Sequence, residues 1–147
     1  MSVDTSSLRA AIQTWAEDVA RETAERALDL VRPNVPIGSS SGDRAPGELR
    51  ASERNSTSGT TIDIGYDAEH AVFTDEGTVA HPIYGNPYLS WEGDGMRVVV
   101  IADRTPVQHP GTPRQGWWSD VIGTEGDSYA GLQGIAQQVA AEVQVTA

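Results

Sequence analysis

Two stretches of helical period bracket a middle of strand period, and that change of period restricts the chain to an α+β fold. Leu8, Ile12, Trp15, Val19, Thr23, Ala27 and Leu30 recur at spacings of three and four. Asp4, Thr5, Ser6 and Ser7 are competent N-caps, and Pro33 ends the run, so a helix is expected over 6–31. Glu17 with Arg21 and Glu22 with Arg26 stand four apart, acid first, as an exposed helical face favours. A second stripe, Leu132, Ile135, Val139 and Val143, follows Asp127 as a cap, and Gly123 and Gly126 separate it from a short helical turn opened by Trp117-Trp118.

Between the helices the period drops to two. Ile62, Ile64 and Tyr66 alternate with Thr61, Asp63 and Gly65, the pattern of a half-buried strand over 60–66. Residues 68–76 fit either period: Ala68, Ala71, Val72 and Asp75 suit a short helix stopped by Gly77, the preferred reading, and Val72 with Thr74 would suit a strand. Tyr88–Glu92 and Met96–Ala102 read as a hairpin turning at Gly93-Asp94-Gly95, with the second strand apolar on both faces and so a candidate for the sheet centre. The expectation is a single domain: helix 6–31, a loop arm 33–59 in which 47–52 form one helical turn or enter the sheet, a sheet block 60–102, a loop 103–116 and a C-terminal helical region 117–145. In short, a small antiparallel sheet is flanked by a long N-terminal and a C-terminal helix. There is no internal repeat.

Charge narrows the function. The net charge is −11, all ten basic residues are arginine, and residues 60–96 carry seven acids and no base. A surface that grips DNA or anionic lipid needs clustered cations, so neither role is expected. Acidity fits solubility, or a wall past which a polyanion slides without sticking. With no cysteine there is no disulfide or thiolate metal site. The opening residues lack a basic segment followed by an apolar run, and no apolar run is long enough to span a bilayer, so manufacture in the cytoplasm is expected.

The sharpest enzymatic candidate is Glu76, His81 and His109, with Asp75 in reserve: two imidazoles and a carboxylate can hold a divalent ion for hydrolysis. Their spacing matches no helical metal motif, and both histidines precede proline in expected loops, where hydrogen bonds or subunit contacts are the more ordinary role. No G-x-S-x-G elbow is present, and the Gly/Ser run at 38–42 lacks the Lys of a phosphate loop. Asp75 and Glu76 are sequence neighbours, which project about 100° apart on a helix and so do not converge; a solvated face is expected for both. No catalytic residue, metal or cofactor is assigned.

Several segments in order carry a resemblance: Gly47-Glu48-Leu49-Arg50-Ala51-Ser52, a strand ending Ile64-Gly65-Tyr66-Asp67, the run His70–Thr78, His81-Pro82-Ile83, a Trp-bearing strand and an apolar one, then His109-Pro110-Gly111-Thr112 followed by Trp117. Over residues 46–122 the chain resembles the small neck or tail-completion proteins of long-tailed bacteriophages, the lambdoid putative tail-component family, and more distantly the lambda-type minor tail protein Z. The resemblance implies a non-enzymatic virion protein at the head–tail junction. It implies a homo-oligomeric ring between the head-closure protein and the tail terminator or tube, with DNA passing through the lumen without specific binding. A tail terminator is the alternative within that class. The subunit-interface residues expected are Leu49, Arg50, Glu76, Gly77, Thr78, His81, His109, Gly111, Arg114 and Trp117, with Trp91, Trp117 and Trp118 as core or interface anchors.

Overall fold

The computed structural model describes residues 4–38, 46–84, 88–93, 96–101 and 107–145. Helix α1 spans Ser6–Val31 and passes into a 3-10 turn, Arg32–Asn34, that contains Pro33. A one-turn helix α2, Glu48–Ala51, leads into strand β1, Glu53–Ser58, which pairs antiparallel with β2, Thr61–Tyr66. Helix α3 is Ala71–Glu76. Strand β3, His81–Ile83, pairs antiparallel with β6, Val107–His109, and β4, Tyr88–Gly93, pairs antiparallel with β5, Met96–Ile101. Helix α4, Ser119–Ile122, a 3-10 turn Glu125–Asp127 and helix α5, Ala130–Glu142, complete the order.

The chain is thus α+β with a long helix before the strands and another after them, as its change of period requires. It divides into two compact units, Met1–Asp75 with Gly116–Ala147, and Glu76–Gln115. The first unit holds α1, α2, the β1–β2 hairpin, most of α3, α4 and α5; the second holds the β3–β6 and β4–β5 ribbons. Among the described residues the strands form three two-stranded ribbons in place of one sheet. Strand β5 pairs with β4 alone among the described strands. The expected turn at Asp94-Gly95 and the side chain of Trp91 lie outside the described residues, as does 39–45 of the expected arm. No described helix is long and apolar enough to cross a membrane.

The core of the first unit gathers Ala27, Val31, Val35, Leu49, Trp117, Ile122, Ile135 and Val139. Ile135 and Val139 come from the expected stripe of α5, and Leu132 and Val143 pack partly against it. Helix α1 corrects its expected face. Thr23 and Ala27 are buried, but so are Ala20, Ala24, Leu28 and Val31, while Leu8, Ile12 and Leu30 are about half exposed. Alanines let α5 come close; Ala11 is buried too, and it is the later turns of α1 that supply Ala27 and Val31 to the central cluster. The expected helical pairs also rearrange: Arg21 bonds Asp18, and Arg26 reaches across to Glu142 on α5.

Three expectations about loops are corrected or kept. The arm 33–59 contains β1, a polar strand recognisable only by its partner. The segments 81–83 and 107–109, expected as loop, are the paired strands β3 and β6. Asp127 ends the 3-10 turn, and α5 begins later than expected, at Ala130, with Tyr129 as its N-cap; the Asp127 carboxylate still accepts from the N–H of Ala130 at the start of α5, and from that of Thr124.

The end of α1 is tied to β1 by a polar cluster that no sequence pattern suggests. Arg32 clamps Glu53 through Nε at 2.8 Å and Nη2 at 3.0 Å, and Tyr66 Oη donates to the same carboxylate at 3.0 Å. Arg32 also bonds Asp29. The guanidinium beside Glu53 holds its carboxyl below the usual range, and burial, then Glu53 itself, pushes the Tyr66 phenol up. Because the folded pKa of Glu53 lies below its unfolded one, the stabilisation is complete above the ordinary value of about 4.3 and is lost as pH falls through the depressed value. Since Arg32 is 40% exposed, solvent screening keeps the contribution small. Glu53→Gln should therefore cost about 1 kcal/mol at pH 7. The gap from the parent chain should close in urea titrations as pH falls from the ordinary carboxylate range through the depressed value of Glu53.

Candidate functional site

The resemblance points at two segments, Glu76-Gly77-Thr78 and His109-Pro110-Gly111-Thr112, and the second unit brings them together. Thr78 and Thr112, 34 positions apart, exchange both backbone hydrogen bonds at 3.0 Å, and their hydroxyls lie 3.1 Å apart. His81 stands opposite His109, Pro82 opposite Gln108 and Ile83 opposite Val107. One antiparallel register therefore runs from Thr78 to Ile83, interrupted where Pro110 offers no N–H.

Glycine is required on both sides of the Thr78–Thr112 bridge. Gly77 has φ +77 and Gly111 has φ +86, the left-handed region that favours glycine. A Cβ on Gly77 would lie 2.5 Å from the carbonyl oxygen of Thr112, and one on Gly111 would lie 2.2 Å from that of Thr78. Each glycine admits the backbone of the opposite segment. Both Gly-Thr steps of the motif thus have a physical origin in this close approach.

The two imidazoles stack with centroids 4.9 Å apart and planes at 27°. His81 Nδ1 lies 2.8 Å from the Val79 carbonyl, so it carries the proton and donates. His109 Nδ1 accepts from the Gly111 N–H at 3.0 Å, which leaves the proton of the neutral ring on Nε2. His81 therefore has the free Nε2 lone pair that a metal ligand needs, and His109 has none while this bond is made. Glu76 is exposed at the end of α3, and among the described residues no group of three or more His, Cys, Asp or Glu is placed to hold a metal ion. The expected set Glu76, His81 and His109 is not assembled as three ligands.

Asp75 corrects another expectation. The sequence pairs it with Glu76 on a solvated face, yet it is buried while Glu76 is exposed. Its Oδ1 accepts from the N–H of Trp118 at 2.7 Å and of Ser119 at 3.2 Å, the open end of α4. The Asp75 carbonyl accepts from Gly116, and Thr74 Oγ1 accepts from Trp117 Nε1. These bonds fix Trp117 edge-on to Tyr66, with centroids 5.1 Å apart. Asp75→Ala should cost about 2 kcal/mol by leaving two N–H groups without their acceptor. Asp75→Asn, which keeps an oxygen there, should recover about half of that in chemical denaturation.

The other expected interface residues divide. Leu49 and Trp117 are 2% and 4% exposed and belong to the core of the first unit, so the aromatic and apolar character that suggests an interface serves packing within the chain. Arg50 Nε donates to the Val35 carbonyl at 2.7 Å, fastening α2 to the segment that follows α1. Arg114 is exposed. Two residues escape sequence reasoning: Thr112, whose pairing with Thr78 is signalled by the shared Gly-Thr step, and Phe73, which is 59% exposed.

No family model matches the chain, and no solved structure matches it. Stretches of the 1,4-alpha-glucan branching enzyme GlgB of Pseudomonas syringae pv. tomato and of Pseudomonas syringae pv. syringae are similar to 48 residues of the chain, at 38% and 35% identity. Each similarity covers 30% of this chain, and the chain spans 6% of the length of these curated relatives.

Proposed function

We propose that this protein is a structural component of a phage neck or proximal tail, working as a homo-oligomeric ring between the head-closure protein and the tail terminator or tube. The observation that supports it most is the ladder in the second unit. Two of the segments that carry the resemblance meet there, and their glycines and threonines serve backbone pairing. Val79 is 84% and Tyr84 65% exposed in this unit, apolar surface of the kind that docking covers. An acidic chain without lysine suits a lumen through which DNA passes without being held.

Electron microscopy of the purified protein, alone and mixed with tail tubes, tests the reading. Annular particles, or a ring capping tube ends, are the expected result. Native mass spectrometry then gives the copy number, and pull-downs separate a neck protein from a tail terminator by which neighbour is retained. A lone subunit that binds no tube and is missing from purified virus particles would overturn it.

A further inference from the structure

Helix α3 turns Thr74 and Asp75 inward beside Ala71, which packs against the core, and leaves Val72, Phe73 and Glu76 exposed. Thr74 and Asp75 face the fold and accept from Trp117 Nε1 and from the start of α4. Val72 and Phe73 are 58% and 59% exposed. A helix of six residues is not stable by itself. Here buried polar bonds hold it in place, and the chain's single phenylalanine stands outside the core.

The same unit has a second uncovered apolar feature at the far end of α1. Leu8 and Ile12 are 53% and 49% exposed. The end of α5 meets α1 at Trp15, whose Nε1 donates to the Val143 carbonyl at 2.8 Å, and Leu8 and Ile12 lie beyond that contact. Leu8 is roughly 28 Å along the helix axis from Ala27 in the core, at about 1.5 Å per residue. The knob on α3 and the stripe on α1 are therefore separate features.

Beside the apolar residues the knob has exposed acids, Glu69 and Glu76, and the stripe has Arg9, with Asp4 just before the same helix. Arg9, between Leu8 and Ile12, is exposed and forms no salt bridge among the described residues. Arg21, Arg26, Arg32 and Arg54 each meet a carboxylate, and Arg50 meets a carbonyl. Glu69, just before α3, is likewise exposed without a salt bridge among the described residues.

We propose that Val72 and Phe73 of one copy dock on the Leu8–Ile12 stripe of a second copy, with Glu69 of the first facing Arg9 of the second. Two different patches make a head-to-tail contact, which leaves a free knob and a free stripe after every addition and so continues until it closes. The contact names the partner surface for the ring reading and rests on that reading only for closure.

Phe73→Ser and Ile12→Glu test it by analytical ultracentrifugation, with circular dichroism confirming that these exposed changes leave the fold intact. The parent chain is expected to form larger species as concentration rises, and each variant to weaken association at least about tenfold. Mixed in equal amounts, the two variants should pair as dimers and stop, since one keeps the stripe and the other keeps the knob. Arg9→Glu and Glu69→Arg should each weaken association, and both changes together should restore it.

Variants that assemble like the parent, or a mixture that does not pair, would overturn the contact while leaving a ring seen by microscopy intact. A parent chain that stays a single subunit up to about 0.3 mM, where any contact of millimolar or tighter affinity is populated, would overturn it as well. Capture by tail tubes then judges the ring reading on its own.

Discussion

Gly131→Ala is expected to destabilise the first unit by about 4 kcal/mol, a large part of the total stability of a small domain. Gly131 lies in the first turn of α5, where α4 crosses it. An added Cβ would sit 2.0 Å from the Val121 carbonyl oxygen and 2.8 Å from its carbon. Both are backbone atoms, so no side-chain rotation relieves the overlap. Helix α4 would have to move, and with it Ile122 in the core and the N–H groups that Asp75 caps. Alanine's better helix propensity returns at most about 1 kcal/mol. The midpoint should fall by roughly 12 °C in calorimetry. Gly134→Ala, one turn on, would meet nothing within 4 Å and should be neutral or stabilising. Equal effects at the two positions would show that the crossing of α4 and α5 is not tight.

Gly111→Ala is expected to cost about 3 kcal/mol in the second unit, from two causes acting together. The left-handed backbone at φ +86 disfavours a Cβ, and the Cβ would press on the Thr78 carbonyl oxygen at 2.2 Å. The bridge would open, and the bond from the Gly111 N–H to His109 Nδ1 would go with it. Hydrogen exchange reads this locally. The Thr78 and Thr112 amides should lose about a hundredfold of protection, while amides of α5 keep theirs. If the ring reading holds, tube capping should be lost at the same time. Unchanged exchange at Thr78 would mean that the motif glycine is not needed for the pairing.

What the sequence discloses follows the strength of each physical signal. The limits of α1 are legible because caps and Pro33 mark them, and β2 and the β4–β5 hairpin because two-residue alternation or a turn marks them. The face of α1 is not, because large side chains catch the eye before alanines do. Leu8 and Ile12 satisfy the spacing, yet Ala20, Ala24 and Ala27 are what a neighbouring helix can approach. Strand β1 has no apolar alternation, and β3 and β6 are three residues long with Pro82 in one of them, so only a partner reveals them. At the candidate site the residues are visible but their relation is not. That two Gly-Thr steps bond one another across 34 positions is a tertiary fact. Asp75 and Glu76 show the opposite case: the angle of about 100° between helical neighbours, which argues against a shared site, is also what sends one carboxylate inward and leaves its neighbour in water.

The bond from Trp15 to the Val143 carbonyl has a consequence for biosynthesis. Helix α1 leaves the ribosome well before the helix that covers it, and Ile135 and Val139 of α5 complete the core that Ala27 and Val31 begin. At ordinary elongation rates, α1 waits on the order of ten seconds for α5 to emerge. During that interval its apolar face lacks the partner it has in the finished fold, so a nascent polypeptide stalled before residue 130 should be held by chaperones or degraded.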